Sequence, residues 1–138
     1  MESRHWLVKS EPGEYAWGRL ARERRAVWDG IRNAQARNHM AEMRRCDLVL
    51  FYHTGDAREV VGIAKVARAA YPEPGCADPR WLAVDLAPVR ALRRPVTLAE
   101  IKADRRLAGI ALVRQSRLSV MPLEPEAYER ILSLGKDS

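Results

Sequence analysis

Apolar and polar positions along the chain fall into short alternating runs and short amphipathic ones. Residues 4–10 (RHWLVKS) start with alternation and end apolar, which predicts a strand, and the following Glu-Pro-Gly-Glu stops it. Residues 15–25 put Tyr15, Trp17 and Leu20 near helical spacing and predict a short helix, with Gly18 working against it. Residues 26–30 (AVWDG) read as a brief extended piece closed by an Asp-Gly turn. Ala36, Met40 and Met43 recur at i, i+4 and i+7 and predict a helix over 33–45, with Arg44 and Arg45 in its last turn complementing the dipole.

The second half is richer in strands. Residues 46–54 and 59–71 predict two of them, with a bulge at Gly62. A Pro-rich loop follows. Residues 80–92 predict another strand with Trp81, Ala83 and Asp85 on one face and Leu82, Val84 and Leu86 on the other, and Pro88 predicts an edge position or a bulge near its end. Residues 95–104 form a short helix behind a capping box, Thr97 with Glu100 three residues on. Residues 107–123 run through a polar break, Arg-Gln-Ser, into a last strand. Residues 124–134 form a terminal helix that turns Tyr128, Ile131 and Leu132 inward. Strands that follow one another without regular helical crossovers argue against a doubly wound sheet. They predict an α+β domain with a curved, barrel-like sheet of about five or six strands and short peripheral helices.

Composition refines this picture. At 138 residues the chain suits one domain, 1–138, with a core large enough to need no staple. No apolar run approaches the ~20 residues that span a bilayer, and residues 1–12 lack an apolar leader core. A soluble, cytoplasmic protein with no membrane contact is expected. Cys46 and Cys76 stand too far apart for a metal motif, and the three histidines are scattered, so no metal site is assigned. Net charge is +6, and residues 1–45 hold ten Lys/Arg against six Asp/Glu. A basic region of this kind attracts phosphate backbones.

No GxSxG, P-loop, HExxH or GxGxxG pattern is present, so no catalytic residue or cofactor is assigned. Cys46 opens a predicted strand and is expected to pack in the core. Asp29 belongs to a turn and is expected to bond its own backbone. A binding site fares better. Recognition of a flat heterocycle needs an aromatic face and a few fixed donors and acceptors. Residues 28–40 (WDGIRNAQARNHM) supply both. Trp28 can serve as a stacking face or as core. Asn33 and Asn38 can read a base edge, and Asn33 can equally cap the helix behind it. Arg32 and Arg37 can pair with phosphates or simply solvate a helix face, the latter favoured for Arg37. His53 ends a predicted strand, as Lys9 and Ser10 do, and Arg114, Gln115, Ser116 and Arg117 fill a polar insertion. Polar residues at several strand ends suggest one common mouth.

Taken in order, WLVKSEP, YAW, WDGIRNAQARNHM, LVLFYHT, VVGIAKV, YPEP, DPRW, VDL, PVTLAEIKA and RQSRLSV resemble the EVE domain family from about residue 4 to 134. The resemblance implies a PUA-like β-barrel decorated by helices, similar to YTH and ASCH domains. It also implies a non-catalytic pocket that reads a modified base, 5-methylcytosine or a related 5-substituted cytosine, in DNA or RNA. By motif, the pocket should include Lys9, Ser10, Trp28, Arg32, Asn33, Asn38, His53, Gln115 and Ser116. Ala34 departs from the family's frequent aromatic at that position. A monomer that binds nucleic acid is expected, the alternative being a small-molecule or free-nucleoside binding protein that uses the same pocket.

Overall fold

A computed structural model describes residues 4–137. Its centre is a six-stranded sheet in the order β2-β5-β4-β3-β1-β6. The strands are β1 (His5–Ser10), β2 (Ala26–Trp28), β3 (Leu48–His53), β4 (Glu59–Pro72), β5 (Leu82–Thr97) and β6 (Val120–Leu123). The helices are α1 (Trp17–Glu23), α2 (Ala34–Glu42), α3 (Leu98–Ala103), α4 (Ala111–Arg114) and α5 (Pro125–Leu134). β1 runs parallel to β3, and every other pairing is antiparallel. The sheet is mixed and not closed. β2 and β6 end its order, and no ladder joins them among the described residues, so the barrel expected from the sequence is an open sheet instead.

The neighbouring strands β1 and β3, both interior to the sheet, are apolar on both faces. Trp6, Leu7 and Val8 are buried beside Val49, Leu50 and Phe51, so alternation gives way to a continuous apolar block. Helix α2 contributes Ala36 and Met40, and α5 contributes Tyr128, Ile131 and Leu132, the face predicted for it. Register shifts break the β4 ladders. One lies opposite Phe51 and Tyr52, where Val61 is the extra residue beside Gly62. Each shift adds local twist and bends the strand. Gly62 has a second reason to lack a side chain. A Cβ there would come within 2.7 Å of three atoms of the Trp17 ring, so the indole lies directly on the strand.

Several boundaries differ from the sequence pattern. β5 runs through Pro88 and Pro95 to Thr97, and the capping box, present as expected, starts α3 only after it. Ala83, Val84, Asp85 and Leu86 are all buried, so this strand has no simple polar face. Helix α4 precedes the last strand where only a polar break was expected.

Helix α2 ends at Glu42, with extended backbone at Met43, which places Arg44 and Arg45 beyond it and not in its last turn. The cause is Asp47. Its buried carboxylate accepts from the Arg44 and Arg4 backbone N–H groups and from Trp6 Nε1–H at 2.9 Å, tying the turn to β1. Cys46 is exposed in that turn with φ of 79°, not packed in a strand.

Candidate nucleic-acid interface

Parallel pairing of β1 and β3 brings their C-terminal ends to one rim, with Lys9 opposite Tyr52 and Ser10 opposite His53. Beside that rim lies a hollow of about 350 Å³. Its wall comprises Lys9 and Ser10 from β1, Glu11, Glu14 and Tyr15 from the turn that follows, Val27 and Trp28 from β2, and the backbone bend at 29–31. Gly30 has φ of +75°, the conformation that the Asp-Gly turn requires. The volume lies in the range of ~300–1,000 Å³ typical of small-ligand sites.

Trp28 is not the uncovered platform that a stacking role suggests. It is 9% exposed and belongs to the core. Tyr15 meets it edge-on with centroids 5.7 Å apart, and Phe51 does so at 5.5 Å. What remains open forms part of the hollow's wall. Tyr15 is only half-buried and adds a second aromatic there, one the sequence pattern had given to a helix. Its hydroxyl donates to Glu23 at 2.9 Å, and burial together with that carboxylate pushes its pKa up to about 12.

A second hollow, also of about 350 Å³, is lined by Asn33, Gln35 and the 114–118 segment. Lys9 connects the two. Its Nζ donates to the Ser116 carbonyl at 2.8 Å, and burial lowers its pKa. Six of the sequence-assigned residues therefore divide between two adjoining depressions: Lys9, Ser10 and Trp28 in the first, and Asn33, Gln115 and Ser116 in the second.

Asn33 is also the N-cap of α2, with its Oδ1 accepting from the Ala36 N–H at 2.9 Å. Ser10 donates its hydroxyl hydrogen to the Tyr15 carbonyl, which leaves its oxygen as an acceptor. Asn38 is exposed on α2, where its Oδ1 accepts from Arg37, and it lines neither hollow. His53 lies at the rim but is used internally. Its Nε2 accepts from the Trp17 backbone N–H at 3.0 Å, and burial lowers its pKa against the opposing pull of Glu59 and Glu11.

Arg32 has a partner that the sequence did not suggest. It donates to both oxygens of Glu73, Nη1 at 3.0 Å and Nη2 at 2.7 Å. Glu73 is buried and also accepts from the Gly30 N–H. The Arg32 guanidinium, then the Gly30 amide, hold the Glu73 carboxyl at a pKa of about 2. One acid thus pins the bend that walls the first hollow. Trp81 is a further unforeseen element, with the Arg32, Arg37 and Arg80 guanidinium carbons 5.1–5.7 Å from its ring centroid. No group of metal-ligating side chains occurs among the described residues.

With this geometry in view, the model of the EVE domain family matches residues 4–134. The chain belongs to the EVE domain family. This EVE domain is 32% identical to thymocyte nuclear protein 1 of Mus musculus, over 96% of this chain and 74% of that protein. Among solved structures, Rpa0253 of Rhodopseudomonas palustris is 41% identical with a TM-score of 0.93, covering 96% of this chain and 93% of that one. Human THYN1, solved in complex with DNA containing 5-methylcytosine, is 30% identical with a TM-score of 0.87 and covers 99% of each chain. The mixed sheet with short helices is therefore an architecture this EVE domain shares with a DNA-binding relative. No helix among its described residues is long and apolar enough to cross a membrane.

Proposed function

We propose that this chain is a non-catalytic module that reads 5-methylcytosine, or a related 5-substituted cytosine, in nucleic acid, with the base held in the hollow beside Trp28. The observation that carries this reading is a polar-rimmed hollow with an indole in its wall, in a chain whose human relative is seen with 5-methylcytosine DNA. A base inside a duplex must leave its stack to enter such a hollow, at a cost of a few kcal/mol. Packing against Tyr15 and the open part of Trp28 offsets that cost. Base–aromatic contact contributes roughly 1–3 kcal/mol on open platforms, and an indole this covered should sit at the low end.

The chemistry of the wall favours cytosine. Glu11, Glu14 and Asp29 are acceptors around the hollow, and the N4 amine of cytosine is a donor that carboxylates accept from. Thymine and uracil present a carbonyl at that position. Val27 and Ile31 supply apolar surface for a 5-methyl group. Burying one methyl is worth about 0.8 kcal/mol, roughly fourfold in Kd.

The test is a panel of short DNA and RNA oligomers, each with a single cytosine, 5-methylcytosine, 5-hydroxymethylcytosine or thymine at a fixed site. The 5-substituted cytosines should bind best, 5-methylcytosine about fourfold over cytosine. Trp28→Phe should narrow that gap in a folded protein, whereas Trp28→Ala should cost about 3–5 kcal/mol of stability. Equal binding across the panel removes the reader and leaves a basic nucleic-acid-binding domain. A free nucleoside bound as tightly as the oligomer, at any salt, points instead to a nucleoside-binding protein.

A further inference from the structure

The two adjoining hollows differ in sign. The one beside Trp28 has three carboxylates, Glu11, Glu14 and Asp29, against a single cation, Lys9. Lys9 is moreover committed to the Ser116 carbonyl. A phosphate placed there would meet net negative charge at close range. The neighbouring hollow is lined by Arg114 and Arg117 and by no carboxylate. Both arginines are exposed, and neither guanidinium has a partner among the described residues. Arg32, by contrast, is closed off by its two-pronged pair with Glu73. Asn33, Gln115 and Ser116 add neutral polar groups of the kind that meet phosphate oxygens.

We propose that the hollow formed by Asn33, Arg114, Gln115, Ser116 and Arg117 is a cradle for the phosphodiester backbone of the strand whose base enters beside Trp28. This inference rests on the base-reading proposal above and adds a division of labour to it. The acidic hollow takes the uncharged base, and the basic hollow takes the phosphates on its 5′ or 3′ side. The Lys9–Ser116 bond fixes the distance between them. The segregation has a physical purpose. Carboxylates that select an amine-bearing base would repel its own backbone unless the cations lay outside the base hollow but within one nucleotide's reach.

The experiment measures matched 5-methylcytosine and cytosine DNA oligomers and neutral 5-methylcytidine against wild type, Arg114→Gln, Arg117→Gln and the double variant over a range of salt. Arg105→Gln, exposed and lining neither hollow, is the control. Each single change should raise the oligomer's Kd several-fold and flatten the slope of log K against log salt by about one unit. Nucleoside affinity and the ratio of 5-methylcytosine to cytosine should not move, and the control should match wild type. If the double variant keeps the wild-type oligomer affinity and salt slope, the cradle is wrong and the base reader stands. If wild type does not separate 5-methylcytosine from cytosine, the base reader is wrong. A flattened slope in the arginine variants then still identifies a backbone-binding face.

Discussion

Glu73 shows how much one side chain can organise. Its carboxylate joins the Gly30 amide to Arg32, so the bend after Trp28 is held from a loop 43 residues away in sequence. Glu73→Gln keeps the size and one acceptor but loses the ion pair. The variant should melt several degrees lower at neutral pH and bind 5-methylcytosine oligomers more weakly, because the wall of the hollow is looser. The pH dependence follows from the depressed pKa. The stabilisation is complete above the ordinary value of 4.5 and is lost as pH falls toward about 2. The gap in melting temperature between wild type and variant should therefore close with acidification. Parallel melting curves at every pH would remove Glu73 from this role. The example also explains what was legible at this scale. Lys9, Ser10 and Trp28 were marked by local motifs and do line one hollow. Arg32 was read as a phosphate contact because nothing near it in sequence reveals an acid so distant.

At the scale of the element, local signals succeeded where the determinants were local. The Thr97–Glu100 box, the inward face of α5 and the residues flanking Gly62 all lie within a turn or two of the pattern that announced them. They failed where a distant group decides. Helix α2 stops early because Asp47 takes the Arg44 N–H, and α1 begins only at Trp17, whose backbone N–H is bound by His53. The contact between α1 and β4 offers the sharpest test of such packing. Gly62→Ala places a methyl 2.7 Å from the Trp17 ring, so either the indole or the bulged strand must move. Overpacking of this kind costs about 1–3 kcal/mol. Chemical denaturation should show a loss of that order, with Trp17 fluorescence altered in the folded baseline. A neutral substitution with unchanged fluorescence would mean that the indole does not lie against this strand.

For the whole molecule, the barrel expected from strand count and short connections is an open sheet, because closure depends on a ladder between β2 and β6 that no local pattern encodes. The open arrangement leaves the rim where β1 and β3 end, and that rim is held by a titratable group. His53 Nε2 can accept the Trp17 N–H only while it carries no proton. Burial lowers the His53 pKa below 6.5, and burial does the same to His39. For a base whose folded pKa is depressed, the unfolded chain takes up protons first, so stability is full above 6.5 and declines as pH falls below it. Melting temperature should thus fall between pH 7.5 and 5, before the carboxylates begin to titrate. His53→Gln should flatten part of that decline, leaving the share due to His39. Binding adds an opposite trend at the same rim, since acidification neutralises none of the arginines and makes the surface more positive. Oligomer affinity should hold or rise over the pH range in which stability falls. Loss of both in step would mean that the His53 anchor and the base hollow open together, and that the rim is one cooperative unit.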